Sequence, residues 1–161
     1  LNNFTILPLG DEHRTIVEAQ VAESWGSSLI VSRGVLHDPR NLEGFIATDS
    51  GKLTGYTYYS ITENACEIVV LEALIIRRGI GSAIIREVLR TAKASACTRV
   101  WLVTSNDNTQ AIRFYQRFGF ELAAVYLNAM DEARLLKPQI PLLGDDDIPI
   151  KHEFEFEIIL A

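Results

Sequence analysis

The stretch Cys66-Glu67-Ile68-Val69-Val70-Leu71-Glu72-Ala73-Leu74, with Arg77-Arg78-Gly79-Ile80-Gly81-Ser82 just after it, decides how this chain folds. Its first part is an apolar run broken only by Glu67 and Glu72, as expected of a strand covered on both faces and therefore central. Beyond the glycines, Ile80, Ile84, Ile85, Val88, Leu89 and Ala92 recur at helical spacing, giving strand, glycine turn and helix in succession. Downstream, Arg99 to Thr104 reads as the next strand. Asp107 with Gln110 resembles a helix-opening box ahead of Ala111, Ile112, Tyr115 and Phe118, and Gly119 ends that helix. Phe120 to Leu127 returns as a strand. Phe154, Phe156, Ile158 and Leu160 alternate with Glu153, Glu155 and Glu157, which predicts a last, half-exposed strand.

Upstream, Asp11 to Trp25 is the first expected element, a helix stopped by Gly26. Leu29-Ile30-Val31, Gly44 to Thr48 and Tyr56 to Ile61 read as strands, the last two joined by the hairpin turn Asp49-Ser50-Gly51-Lys52. Lys137 to Pro149 holds three of the five prolines and the run Asp145-Asp146-Asp147, and reads as a long loop. The whole connection from Asn128 to His152 has the length of a lid or binding loop. One helix, a β meander and β-α-β-α-β with a closing strand predict an α/β (α+β) chain with a mixed sheet flanked by helices.

Composition sets limits on function. The 161 residues fit a single domain, 1–161, and 48% hydrophobic content suffices for its core. A net charge of −6 disfavours nucleic acid or an anionic membrane as partner. No apolar run is long enough to span a bilayer, and Leu1-Asn2-Asn3-Phe4 lacks the features of a signal peptide, so a soluble, cytoplasmic protein is expected. Cys66 and Cys97 show no metal or disulfide spacing, which leaves structural zinc and any other metal site without ligands. His13, His37 and His152 stand singly, with His37 and Arg33 in a region able to line a pocket.

Arg77 to Ser82 gathers backbone N–H groups at a helix start with little side chain in the way, a geometry that suits phosphate. Tight packing alone also produces such a turn. The third glycine of a dinucleotide fingerprint is replaced by Ile84, and the lysine of a Walker loop is absent, so neither nucleotide fold is expected. What remains is a pyrophosphate held by backbone N–H groups and an arginine.

The second constellation is Asn106-Asp107-Asn108-Thr109-Gln110-Ala111-Ile112-Arg113-Phe114-Tyr115-Gln116-Arg117-Phe118-Gly119-Phe120. With the glycine turn before it, the spacing of Asn108, Ala111, Tyr115 and Gly119-Phe120 resembles the GCN5-related N-acetyltransferase (GNAT) superfamily, over about Phe45 to Phe120. The resemblance implies a mixed, mostly antiparallel sheet, acetyl-CoA as cosubstrate, and direct attack by a small-molecule or peptide amine. It places Val69, Val70 and Leu71 on the strand that pairs with pantetheine, and Arg77, Arg78, Gly79, Ile80, Gly81, Ser82 and Ala83 around the pyrophosphate. Asn108 would bond the CoA arm, and Tyr115 would protonate the leaving sulfur, although a tyrosine on a helix's apolar face is also ordinary core packing. The strand end Trp101 to Asn108 and the tail Asp131-Glu132-Ala133-Arg134 to Pro138 are similar to a bacterial subgroup whose acceptors the resemblance does not supply.

Three positions depart from the family pattern. Ile76 stands where a Gln or Arg usually precedes the cradle, Ala73 replaces the usual proline, and Val103 occupies the place of a carboxylate base. Glu72 is the expected base. Glu67 is the other candidate, and strict strand alternation would put the two on opposite faces. The rival function is a catalytically silent acyl-CoA-binding sensor or scaffold, and a homodimer through the exposed last strand is a further expectation.

Overall fold

Seven strands form one sheet whose spatial order is not their order in the chain. The computed structural model describes residues 3–161, so Leu1 and Asn2 of the opening stretch lie outside the described residues. In chain order the elements are β1 (Thr5–Pro8), α1 (Asp11–Trp25), β2 (Ile30–Ser32), β3 (Val35–His37), β4 (Glu43–Asp49), β5 (Lys52–Thr62) and β6 (Ala65–Ala73). Then come α2 (Ile80–Ala94), β7 (Arg99–Ser105), α3 (Thr109–Phe118), β8 (Glu121–Tyr126), α4 (Ala129–Leu136) and β9 (Glu153–Ile159). The sheet runs β1-β4-β5-β6-β7-β9-β8, while β2 and β3 pair as a separate hairpin. Of its neighbouring pairs only β6 and β7 are parallel, which makes the sheet mixed and mostly antiparallel, as expected.

Each face of the sheet carries its own core. On one, Ile80, Ile84, Ile85 and Val88 of α2 bury themselves against Cys66, Ile68, Val100, Leu102 and Phe156. On the other, Val17 and Val21 of α1 pack on Ile46, Tyr56, Tyr58 and Val70. Burying each such side chain stabilises the fold by about 1.5–3 kcal/mol, so both helices are held by their stripes more than by intrinsic propensity. α2 reaches the sheet closely because Ala47, Gly55 and Ala73 stand side by side across three strands under its first turn. A Cβ on Gly55 would lie 2.6 Å from Ile80 Cγ2.

Several expectations need correction. β1, not α1, is the first regular element, and its four residues are too short a signal to stand out before pairing with β4. The connection after Asn128 is not all loop, since α4 buries Met130 and Ala133 beside Ile150. The last strand in the chain is no edge. β9 lies between β7 and β8, with Glu153 and Glu155 both buried, and so offers no edge for a homodimer. Arg99 beside Glu155 at 3.1 Å and the Tyr126 hydroxyl donating to it at 2.9 Å make that burial tolerable. Finally, α3 is capped by Asn108, whose Oδ1 accepts from the Ala111 N–H at 3.2 Å, and not by Asp107.

Candidate active site

Two irregularities open a cleft in the middle of the sheet. β6 pairs with β7 only where Ala65, Cys66 and Glu67 meet Arg99, Val100 and Trp101. Past that point β6 stays with β5 and β7 stays with β9, so the two strands part. The second irregularity is a bulge: Tyr58 pairs with Val70 and Tyr59 with Ile68, leaving Val69 as the extra residue. The buried Thr57 hydroxyl donates to the Val70 carbonyl at 2.7 Å and fixes the chain there. A cleft of about 670 Å³ results, with Ile68 to Leu71 on one wall and Leu102 to Ser105, Asn108, Ala111 and Tyr115 on the other.

The bulge also overturns the expected alternation of the two glutamates. An extra residue between them restores the parity, and Glu67 and Glu72 share the face covered by α1 and the β2–β3 hairpin. Glu67 accepts from the Ser32 hydroxyl under that hairpin. Glu72 accepts from Ser24 of α1 at 2.8 Å and from the Tyr56 hydroxyl at 2.5 Å, while Trp25 Nε1 donates to the same Tyr56 oxygen at 3.3 Å. Burial, then the Glu72 carboxylate, push the Tyr56 phenol far above its ordinary value. These bonds brace the end of α1 against the sheet. Neither glutamate lines the cleft, although Ser24 and Trp25 do.

Tyr115 and Asn108 are brought together on the β7 side. Tyr115 is buried, with its ring 5.4 Å from Phe114, 5.6 Å from Phe120 and 6.3 Å from Phe156, centroid to centroid. Burial raises its phenol well above the ordinary value, which favours the protonated form, the one able to donate a hydrogen bond. Because Asn108 Oδ1 is used as the cap, its Nδ2 group is the part left for a ligand.

Arg77 to Ala83 lie beyond the cleft's lining, on an open shoulder at the start of α2. Arg77 and Gly79 both take positive φ, 62° and 74°, which turns successive N–H groups toward one concavity. No side chain caps α2, and its first turn carries no acid, so its leading amides remain available to an anion. The two glycines serve different ends. Gly79 supplies the left-handed turn, whereas a Cβ on Gly81 would come 3.2 Å from the Phe114 ring, so Gly81 lets α3 approach. Arg78 is held by Asp49 at 3.1 Å, and that contact draws the Asp49 carboxyl below its usual value. Arg77 has no ion pair among the described residues and is the exposed cation of the turn.

The remaining walls come from Glu153, which the sequence offered only as part of a strand pattern, and from residues it offered only as a helix opener or a long loop. Glu153 lines the cleft at the start of β9, opposite Ser105 and Tyr126 in register. It is buried, and burial first, then the Glu155 charge, raise its carboxyl above the ordinary value. Asp107 also lines the cleft, accepting from the Ser105 hydroxyl at 2.5 Å and from the Asp145 N–H at 3.4 Å, and so ties down the segment after α4. That segment forms a wall with Lys137, Gln139, Ile140 and Asp145. Lys137 is buried, donates to the Leu29 carbonyl at 3.1 Å, and has its ammonium value lowered by burial. Cys66 is sealed in the core with its thiol pushed up to about 12, which suits a packing role and not a nucleophile.

A strand pair parted around a bulge, beside an uncapped glycine-turn helix, defines the fold of the GNAT acetyltransferases. The family model described as Acetyltransferase (GNAT) family matches residues 11–120, and the chain belongs to that family. It is 36% identical over 157 residues to the uncharacterized protein YdhI of Bacillus subtilis (strain 168), covering 96% of this chain and 98% of that one. Among solved structures, an IAA acetyltransferase from Bacillus cereus superposes with a TM-score of 0.76 at 16% identity, over 98% of this chain and 99% of the other. A GNAT family acetyltransferase from Elizabethkingia anophelis, solved with acetyl-CoA bound, gives 0.72 at 15% identity, over 99% and 100%. At such identities the structural likeness speaks for the fold alone. No helix among the described residues is long and apolar enough to cross a membrane.

Proposed function

We propose that the protein transfers the acetyl group of acetyl-CoA to a primary amine by direct attack. The observation that carries this reading is the parting of β6 from β7, which sets the backbone of Val69, Val70 and Leu71 across one cleft from Asn108 and Tyr115. In it, the pantetheine arm lies along β6 and the pyrophosphate rests on the amides of Gly79 to Ser82, the Ala83 N–H expected beside them being donated to the Gly79 carbonyl at 3.0 Å. The amine nitrogen attacks the thioester carbon, the C–S bond breaks, and Tyr115 donates a hydrogen bond to the departing sulfur. A phenol raised by burial is a weaker acid than a thiol, so Tyr115 stabilises the developing thiolate, and the proton that finally rests on sulfur originates from the amine. Positioning and polarisation do the remaining work, and no covalent enzyme intermediate is needed.

Calorimetric titration with acetyl-CoA, followed by thiol release against polyamines, amino acids, aminoglycosides and peptides, tests the reading. Saturable binding with amine-dependent release is expected. Binding without release from any amine would point to the silent acyl-CoA-binding module instead, and no binding would overturn the reading of the glycine turn. The same titration separates the two arginines. Arg77→Ala should weaken acetyl-CoA about 3- to 10-fold, the loss of one charge-assisted contact at an exposed site, and flatten the salt dependence. Arg78→Ala should act less, because its charge is already engaged by Asp49.

A further inference from the structure

We propose that Glu153 is the base that takes the proton from the incoming ammonium, an assignment that rests on the transferase reading above. Five carboxylates stand at or near the cleft; Asp145 lines it from the exposed segment after α4, in contact with water, and the hydrogen bonds of the other four separate them. Glu72 and Glu67 do not line it and are engaged by Tyr56 and Ser24 and by Ser32. Asp107 lines it, but its two oxygens hold Ser105 and Asp145. Glu153 lines it with 5% of its surface exposed and a single long hydrogen bond, from the Arg33 backbone N–H at 3.4 Å. It is the buried lining carboxylate with an oxygen to spare for a substrate.

The position fits the chemistry. Phe154 and Phe156 point into the α2–α3 core, so alternation along β9 puts Glu153 on the opposite face, away from the helices that would carry the CoA. It therefore looks at the acceptor's side of the opening, while Tyr115 serves the thioester's side. Arg33 from the β2–β3 turn, Glu67 from β6 and Glu155 on its own strand act on its charge, Arg33 opposing the upward shift; Tyr126 of β8 pairs with it in register, His37 of β3 lies 3.9 Å from Glu67, and Lys137 and Asp107 line the same cleft. Glu155 is neutralised by Arg99, whereas Glu153 has no ion-pair partner among the described residues. An ammonium entering the cleft supplies that partner. One N–H proton passes to Glu153 and from there to solvent, the freed lone pair forms the N–C bond, and a second N–H proton ends on sulfur as the C–S bond breaks. Atoms and charge balance without a further reactant. Val103, where the family pattern places a carboxylate, then needs no substitute on its own strand, because its neighbour in the sheet is β9.

The test is the pH dependence of amine-dependent thiol release by the parent protein, Glu153→Gln and Glu153→Asp. The parent should lose activity on acidification through the raised value of the Glu153 carboxyl, since only the carboxylate accepts a proton. Glu153→Gln should lower kcat by about 10²- to 10⁴-fold and remove the break set by the Glu153 carboxyl, its residual rate climbing about tenfold per pH unit without levelling until the amine's own ionisation is reached. Glu153→Asp, with its carboxyl drawn back by one methylene, should keep the limb at a reduced kcat. Acetyl-CoA titration of all three should agree, and thermal melts check that each is folded. A break that survives at the parent's position in a folded Glu153→Gln would overturn the assignment and leave the transferase standing. No release from the parent despite acetyl-CoA binding would overturn both.

Discussion

Tyr115→Phe is expected to lower kcat for acetyl transfer by about 10²-fold while leaving acetyl-CoA affinity within about twofold. The reason lies in what the phenol touches. Its ring is fixed by Phe114, Phe120 and Phe156, contacts that phenylalanine keeps, so neither the core nor the cleft should change shape. In the proposed reaction, only the hydrogen-bond donor to the sulfur is removed. Its contribution grows as negative charge develops on the leaving thiolate, so the loss belongs in kcat and not in binding. A thermal midpoint equal to the parent's, with turnover unchanged as well, would return Tyr115 to the role of a core aromatic.

Gly55→Val is expected to destabilise the fold by about 3 kcal/mol and to lower the thermal midpoint by about 6–12 °C. Gly55 lies on β5 under the first turn of α2, and an added Cβ would meet Ile80 Cγ2 at 2.6 Å, the Glu72 carbonyl at 3.1 Å and Ile84 Cδ1 at 3.2 Å. Ile80 and Ile84 are themselves buried, with no space to swing into. The first turn of α2 must therefore lift from the sheet. Because that same turn presents the amides of the pyrophosphate cradle, acetyl-CoA affinity should fall together with stability, by at least several-fold. Full affinity in a destabilised variant would mean that the cradle is held from elsewhere.

The glycine turn was legible in the chain, but not why each glycine is there. Gly79 and Gly81 look alike in a row of letters. One meets a backbone requirement for positive φ, and the other meets a later helix through Phe114. Asn108 was likewise found by its spacing, yet its double use, capping α3 with Oδ1 and leaving Nδ2 free, needed the coordinates. Glu72 illustrates the opposite case. A carboxylate near the end of the central strand was a reasonable base until Tyr56, Ser24 and Trp25 were seen to close around it, and those partners come from elements far apart in the chain.

The alternation of Glu153, Glu155 and Glu157 with Phe154, Phe156 and Ile158 was visible as a strand pattern, and it argued for glutamates in water. Alternation reports only that two faces differ, not what covers the second one. Here the second face is covered by the β2–β3 hairpin and the segment around α4, whose short elements carry weak local signals.

By itself the sequence determined the helices that flank the sheet, the strand that lies at its centre, the phosphate-compatible turn, and the Asn108 to Phe120 spacing that points to the GNAT family. These follow from local periodicity and from residues close together in the chain, where side-chain direction is set by the backbone repeat. Only the tertiary structure decided the insertion of β9 between β7 and β8, the bulge at Val69 that puts Glu67 and Glu72 on one face, and the cleft that Glu153 lines. Pairing partners and registers depend on which distant segments bury each other's apolar faces, and a one-residue slip in that register reverses every side chain beyond it.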